Sequence, residues 1–176
     1  MLQPVEWRSF MSPSDIIIAE GPRPDALDAV VALHRGYYAR AWSFGHVFEA
    51  KVAGEFAEFL DRYDPVHDRL FLALNRGRIV GSLVIDGGEP TVATQGAHLR
   101  WFIVDETCRG RGIGKALMDA GMRFIQANFR RCYLTTFAGL DAARGLYQRT
   151  GFRLTAEIEA ENWGTRVTEQ RFEWNK

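Results

Sequence analysis

The sequence predicts one α/β domain, in which a mixed and mostly antiparallel sheet of six to seven strands carries helices on both faces. Two features predict it: apolar residues at helical spacing in the first half, and a strand–helix–strand segment in the second. At 176 residues the chain has the length of a single domain. We assign residues 14–176 to this domain. Residues 1–13 form an N-terminal extension. We expect either a flexible segment or a natural start of the protein at Met11.

The first half of the chain predicts one strand and two helices. A short buried strand at Ile16–Ile18 stops at Gly-Pro, and apolar positions then repeat at helical spacing from Asp25 to Arg40. An aromatic connection at Ala41–Gly45 leads to a second helix from Val47 to Tyr63. The Asp64-Pro65 pair ends this helix, because the residue before a proline avoids the α region.

The second half predicts most of the sheet. Arg69–Asn75 and Arg78–Asp86 flank a two-residue turn and form a hairpin. Leu99–Val104, the next helix and Cys132–Phe137 form a βαβ unit, in which the two strands are parallel and the crossover is right-handed. Residues Arg166–Trp174 alternate in polarity, which predicts an antiparallel strand with one wetter face.

Composition excludes several classes of protein. The 22 basic and 22 acidic residues cancel, which argues against a nucleic-acid binder that relies on a global positive field. No apolar run approaches the roughly 20 residues of a membrane span, and the N-terminus lacks the features of a secretory signal. Cys108 and Cys132 form neither a Cys-x-x-Cys pair nor a metal-ligand cluster. We therefore expect a cytoplasmic protein with no metal and neither nucleic acid nor membrane as partner.

A glycine-rich loop lies between the strand that begins at Leu99 and the helix that reaches Gln126. The loop contains two arginines and three glycines: Arg109, Gly110, Arg111, Gly112 and Gly114. Glycines let the backbone approach a ligand closely, and the first turn of a helix presents unpaired N–H groups with roughly +0.5 of a charge. The loop therefore predicts a binding site for an anion, most often a phosphate.

Two common nucleotide motifs do not fit this loop. A Walker A loop would need glycine and Ser or Thr where the chain has Arg109 and Ala116. The dinucleotide pattern, begun at either of two loop glycines, fails because Lys115 or Leu117 stands where the last glycine is required. A ligand-free glycine-rich turn is the alternative that the loop alone leaves open.

The remaining pattern, Arg-x-x-Gly-x-Gly, resembles the acetyl-CoA pyrophosphate loop of the GNAT superfamily of N-acetyltransferases. A second motif of that family, a short helix closed by Gly-Phe and followed by a strand, is matched by Ala143, Leu146, Tyr147, Gly151 and Phe152. Asp141 suits the N-cap of this helix and Gly151 its C′ position. The resemblance spans about residues 70 to 155 and implies a GNAT-like sheet. The early helices also resemble acetyltransferase domains that are fused to MarR-type regulators.

The resemblance implies a site for acetyl-CoA as cosubstrate. Backbone N–H groups of the loop would hold its pyrophosphate, with the arginine side chains either adding charge or remaining solvated. The backbone of the preceding strand would hold its pantetheine arm and supply an N–H to the thioester carbonyl. The implied cofactor-binding residues are Ile103, Val104, Arg109, Gly110, Arg111, Gly112, Ile113, Gly114 and Lys115.

The same resemblance makes Tyr147 the general acid that protonates the departing CoA thiolate; the alternative is a packing role. The general base stays open among His98, Glu89 and Glu106, with or without an intervening water. His34, on an apolar helix face, has the pattern of a core histidine. The family's usual Asn before the Tyr helix is absent here, which puts cofactor affinity in doubt. Cys108 is a weak candidate nucleophile because no histidine pairs with it.

Aromatic residues in the early helices and the sheet are the candidates for acceptor binding. The substrate-binding residues assigned are Tyr38, Trp42, Phe44 and Trp101, with Tyr37, His46 and Trp163 as further candidates. An aromatic-rich segment of this kind is more often part of the core or of a homodimer contact. The resulting hypothesis is an N-acetyltransferase that moves acetyl from acetyl-CoA directly to a primary amine of a small molecule or peptide. The alternatives are a longer acyl donor and a non-catalytic acetyl-CoA-binding sensor or interaction module.

Overall fold

The computed structural model describes residues 16–161 and 163–176, so the predicted extension at residues 1–13 lies outside the described residues. The strands are β1 Ile16–Glu20, β2 Arg69–Asn75, β3 Arg78–Asp86, β4 Ala97–Val104, β5 Arg131–Phe137, β6 Arg153–Ala160 and β7 Val167–Asn175. The helices are α1 Ala26–Trp42, α2 His46–Asp61, α3 Val92–Gln95, α4 Ile113–Asn128 and α5 Asp141–Arg149.

The strands form one sheet in the order β1-β2-β3-β4-β5-β7-β6. Among the described strands only β4 and β5 pair in parallel, and they do so at two register positions, Ala97 with Cys132 and His98 with Tyr133. Every other neighbouring pair is antiparallel. The predicted fold class is confirmed. Beyond His98 the two parallel strands separate, and this gap is where the candidate site lies.

Helices cover both faces of the sheet because the buried strands carry apolar side chains on both sides. Leu70 and Leu72 of β2 pack in the cluster that contains the apolar residues of α1 and α2. Phe71 and Ala73 of the same strand pack on the opposite face, in the cluster that contains α4 and Tyr147 of α5. The alternation along one strand thus separates two cores.

Helix α1 is longer than predicted, and the aromatic connection is correspondingly shorter. Ala41 and Trp42 continue the helix, which ends at Ser43 in the left-handed conformation with φ 56°. At this end of the helix the Ser43 N–H donates a hydrogen bond to the Tyr38 carbonyl. The sequence also gave no indication of the short helix α3.

A β-bulge in β4 changes which side chains face α2. Trp101 and Phe102 together oppose the single residue Leu83 of β3, and Trp101 has φ 45°. The Ser82 hydroxyl donates to the Trp101 carbonyl at 2.6 Å and holds this conformation. The bulge turns the Trp101 ring onto Phe56 of α2, at a centroid distance of 4.9 Å.

Candidate functional site

Two cavities meet where β4 and β5 separate. The large cavity has a volume of about 730 Å³ and lies between β4, α4 and α5. The small cavity has about 360 Å³ and lies between the sheet and α2. Both have the same four residues in their walls: Tyr38, Phe102, Thr136 and Tyr147. A ligand in one cavity can therefore touch a ligand in the other at this junction.

The loop before α4 forms one end of the large cavity. Gly110 and Gly112 have φ 75° and 76°, a left-handed conformation that other residues adopt at a cost. The first hydrogen bond of the helix joins the Ala116 N–H to the Gly112 carbonyl at 2.9 Å, so the preceding N–H groups stay available to a ligand. Of the nine residues predicted for cofactor binding, all except Arg111 line this cavity.

Arg109 is held beside the loop by two contacts. Its guanidinium lies 4.6 Å from the centroid of the Tyr37 ring and 3.8 Å from a Glu106 carboxylate oxygen. Glu106 also pairs with Arg40 across the loop. The Arg109 charge is thereby fixed at the cavity wall, whereas the Arg111 side chain is exposed.

Of the two residues predicted to offer backbone groups to the pantetheine arm, Ile103 and Val104, one does so in the structure. The Asp105 N–H donates to the Val80 carbonyl at 2.8 Å, so alternate residues of β4, including Ile103, direct their backbone groups to β3. An added Cβ at Gly81 would lie 2.9 Å from the Ile103 carbonyl oxygen, which agrees with that direction. The backbone groups of Val104 therefore face the gap.

Tyr147 on α5 stands at the junction of the cavities. The Gly151 N–H donates to the Gln148 carbonyl at 3.1 Å and the Phe152 N–H to the Tyr147 carbonyl at 3.0 Å, which is a Schellman motif with glycine at C′, as predicted. Burial raises the pKa of Tyr147, and a hydrogen bond with Thr136 opposes this only in part. The phenol is therefore protonated at neutral pH.

The predicted N-cap of this helix is wrong. Asp141 is the first residue of α5, the cap position is Leu140, and no side chain there accepts a capping hydrogen bond. Because Asp141 lies inside the helix rather than before it, its carboxylate is not in the geometry of a cap. Asp141 is exposed and lies on the wall of the large cavity instead.

His98 and Glu89 form a hydrogen-bonded pair at the small cavity. His98 Nδ1 lies 3.1 Å from Glu89 Oε1, and its ring stacks on Tyr133 at a centroid distance of 4.2 Å. Burial lowers the pKa of His98, and the nearby charge of Arg100 lowers it further, against the opposing effect of Glu89. His98 is therefore neutral at neutral pH. Its ring lies on the cavity wall, with Nδ1 occupied by Glu89.

Burial alone would raise the pKa of Glu89, but three groups outweigh it and lower that pKa to about 2. They are His98, Arg100 at 3.0 Å, and the Tyr133 hydroxyl, which donates at 3.1 Å. Glu106, the third candidate base, does not line the small cavity. The geometry thus separates the three candidates: His98 on the cavity wall, Glu89 behind it and Glu106 at the loop.

The predicted acceptor residues divide into two groups. Tyr38 and Trp101 line the small cavity, together with the further candidate Trp163. Phe44 is buried in the core, and Trp42 packs on Phe44 and Phe137; neither lines the two cavities. Both rings pack on Phe137 in the aromatic core instead.

His34 has the geometry of the predicted core histidine. Its Nδ1 lies 2.8 Å from the Val30 carbonyl within α1. Burial lowers its pKa to about 4, and this hydrogen bond opposes the shift. His34 is therefore neutral at neutral pH, and it is one of the residues that line the small cavity.

A comparison of the sequence with models of protein families identifies the family. The model of the acetyltransferase (GNAT) family matches residues 27–152, which is most of the chain. The chain belongs to this family. Membership confirms the predicted class of enzyme, an N-acetyltransferase. No curated protein sequence matches the chain.

Solved structures that include N-acetyltransferases have the same fold at low sequence identity. A ribosomal-protein-alanine N-acetyltransferase from Brucella melitensis superposes with a TM-score of 0.72 at 16% identity, over 91% of this chain and 99% of the other. An N-acetyltransferase from Staphylococcus aureus gives 0.72 at 17%, over 92% and 99%. Arabidopsis thaliana NAA60, in complex with a bisubstrate analogue, gives 0.66 at 18%, over 90% and 98%.

Sequence reasoning missed several residues of this GNAT site. Thr136, Phe102 and Leu146 line the large cavity, while Lys51, Glu55 and Glu169 line the small one. Thr136 interrupts an apolar strand, which is a detectable signal. Glu169 stands on the wetter face predicted for the last strand. Nothing in the sequence brings Lys51 and Glu55 of α2 to the same cavity as Glu169 of β7.

Proposed function

We propose that the chain transfers the acetyl group of acetyl-CoA directly to a primary amine of a small molecule or peptide. The observation that carries this proposal is the junction of the two cavities at Tyr147. One cavity suits a nucleotide-linked thioester and the other an amine. A direct transfer requires the two substrates to touch, and the junction provides that contact.

The large cavity fits acetyl-CoA in three respects. Unpaired N–H groups between Gly110 and Lys115 suit a pyrophosphate at the N-terminus of α4. The backbone groups of Val104 suit the amide groups of a pantetheine arm, which would pair with β4 as an added strand does. Cys108, Ile113 and Leu146 give the wall between these points an apolar character.

Acetyl-CoA supplies an acetyl group that is activated as a thioester. Transfer forms a C–N bond to the amine and breaks the C–S bond, and an N–H of the β4 edge stabilises negative charge on the carbonyl oxygen. The Tyr147 hydroxyl, held protonated by burial, gives its proton to the departing sulfur.

His98 is the base that this geometry favours. An amine of the lysine type has a pKa near 10.4 and must lose a proton before or during attack. The His98 ring is neutral and faces the small cavity, and its hydrogen bond to Glu89 fixes the tautomer and leaves Nε2 as the acceptor. Glu89 is then a positioning residue.

The test is CoA release from acetyl-CoA, followed with a panel of primary amines, amino acids and peptides. Tyr147→Phe should lower kcat by roughly 10- to 100-fold with little change in CoA affinity, because general acid catalysis of this kind contributes about that much. Tyr63→Phe, which removes a hydroxyl outside both cavities, is the matched control. Unchanged kcat in Tyr147→Phe would remove the assigned role.

The same panel discriminates the alternatives. Binding of CoA without turnover on any amine would favour a sensor or interaction module, and faster turnover of longer thioesters would favour another acyl donor. Cytoplasmic location and homodimer formation stay predictions; the two cysteines, both buried and unpaired, support the former. Among the helices of the described residues, none is long and apolar enough to cross a membrane.

A further inference from the structure

The cations at the small cavity are already neutralised by carboxylates. Lys51 Nζ lies 2.5 Å from Glu55, its neighbour one helical turn away. Arg100 also pairs with Glu55, and it contacts Asp86 at 3.4 Å and Glu89 at 3.0 Å. Lys51 and Arg100 thus each have at least one carboxylate partner. Among the described residues, an anionic substrate group would find no Lys or Arg on this cavity wall that lacks a carboxylate partner.

Glu169 is the exception among the carboxylates of this cavity. It lies on β7, is partly buried, and accepts a hydrogen bond from the Trp163 indole N–H. Within residues 16–161 and 163–176, no Lys, Arg or His nitrogen approaches it within ion-pairing distance, whereas Glu55 and Glu89 both have cationic partners. Its charge is therefore available to a ligand in the cavity.

Trp163, which donates to this carboxylate, belongs to a group of aromatic rings, and the Lys51 ammonium lies 5.2 Å from its ring centroid. Trp163 lies 5.7 Å from Phe48 and 5.3 Å from Phe137, measured between ring centroids, and all three line the cavity. Aromatic faces attract cations through their quadrupole, and a partly apolar surround strengthens a charge pair. Carboxylate and rings together suit an organic cation.

The carboxylate is also close to the junction. Glu169 pairs in register with Phe137 of β5, the residue next to Thr136, whose side chain contacts Tyr147. Neighbouring strands are about 4.8 Å apart and successive residues about 3.4 Å, so the Cα atoms of Glu169 and Thr136 are separated by roughly 6 Å. The Glu169 and Phe137 side chains share one face of the sheet and the Thr136 side chain points to the other, so a substrate would join the carboxylate to the junction through the gap between β4 and β5.

We propose that the acceptor carries a second cationic group, as an aliphatic diamine does, and that Glu169 binds this group while the other amine is acetylated. The inference rests on the proposed function and names the substrate class of the same site. It makes Glu169 a specificity residue that acts on binding and takes no part in proton transfer.

The experiment measures kcat/KM for CoA release with α,ω-diamines, from diaminopropane to diaminohexane, and with monoamines of the same carbon number. Wild-type protein should prefer the diamines. Glu169→Gln keeps an acceptor for the Trp163 N–H and removes only the charge, so it should lower kcat/KM for the preferred diamine by about tenfold or more, chiefly through KM. Its activity toward monoamines should change less than about threefold.

Two variants complete the design. Glu159→Gln removes a carboxylate from the exposed strand β6 and should leave the preference for diamines unchanged. Glu169→Asp keeps the charge and should retain part of the preference. Equal turnover of diamines and monoamines by the wild type, or an equal loss for both in Glu169→Gln, would overturn the proposal and leave the transferase function intact. No CoA release with any amine would overturn both.

Discussion

Replacing Gly112 by alanine separates the role of the loop in binding from its role in folding. Gly112 has φ 76° at the start of α4, and Gly77 has φ 79° in the turn between β2 and β3. A Cβ added at either position meets no heavy atom within 4 Å. The two substitutions therefore impose the same backbone strain without a clash, and only Gly112 lines the large cavity.

The magnitude follows from this conformation. An alanine in the left-handed region costs about 1–2 kcal/mol. At Gly77 the flanking strands hold the turn, with Asn75 paired to Arg78, so the cost should lower the free energy of unfolding by about that amount. At Gly112 the loop is exposed and can relax, so the cost falls on CoA binding, which must restore the loop conformation. The CoA Kd should then rise by about 5- to 30-fold.

Calorimetric titration with CoA and urea unfolding measure the two quantities on the same samples. Gly112→Ala should change mainly Kd, and Gly77→Ala mainly the free energy of unfolding. A CoA Kd within twofold of wild type in Gly112→Ala would refute the role given to the loop. An equal rise in Gly77→Ala would show that backbone strain acts on binding from anywhere in the fold.

Two further predictions concern the charges behind the small cavity. Asp86 is fully buried between Arg62 and Arg100, so Asp86→Ala should lower the free energy of unfolding in urea by about 3–5 kcal/mol; a loss below about 1 kcal/mol would contradict this. Glu89 raises the pKa of His98, so Glu89→Gln should move the acidic limb of kcat/KM to lower pH. The Glu89 pKa is about 2 in the folded protein against an ordinary 4.5, so ionised Glu89 stabilises the fold above pH 4.5. This stabilisation is lost as the pH falls from 4.5 toward 2. Acid unfolding of Glu89→Gln should therefore lack the part of the pH dependence that Glu89 contributes.

The sequence allowed the loop and α5 to be predicted because their signals are local. Glycines at Gly110 and Gly112 are required by the backbone conformation itself, and Gly151 closes α5 in the same way. The parallel pairing of β4 and β5 could be predicted because two strands joined by a helical crossover run in the same direction. The prediction of Asp141 as the N-cap was wrong because several positions near the start of a helix accept an acidic residue equally well.

The small cavity could not be predicted because it depends on tertiary packing. The bulge at Trp101 reverses the alternation of β4, and its supporting hydrogen bond comes from Ser82 on another strand. Glu169 gains its role only because β7 inserts beside β5, which no local pattern indicates. The prediction that Phe44 binds the acceptor was wrong for a related reason. Aromatic residues near a site and aromatic residues in a core have the same spacing in the sequence.

The central claim is that the pyrophosphate of CoA binds the N–H groups at the start of α4. Amide chemical shifts during a CoA titration test this claim directly in a protein of 20.0 kDa. The largest changes should fall on Gly110, Gly112 and Gly114, with slower hydrogen exchange at the same amides, while Gly77 stays unperturbed. Chemical-shift changes confined to residues outside this loop, or no binding at millimolar CoA, would contradict the claim.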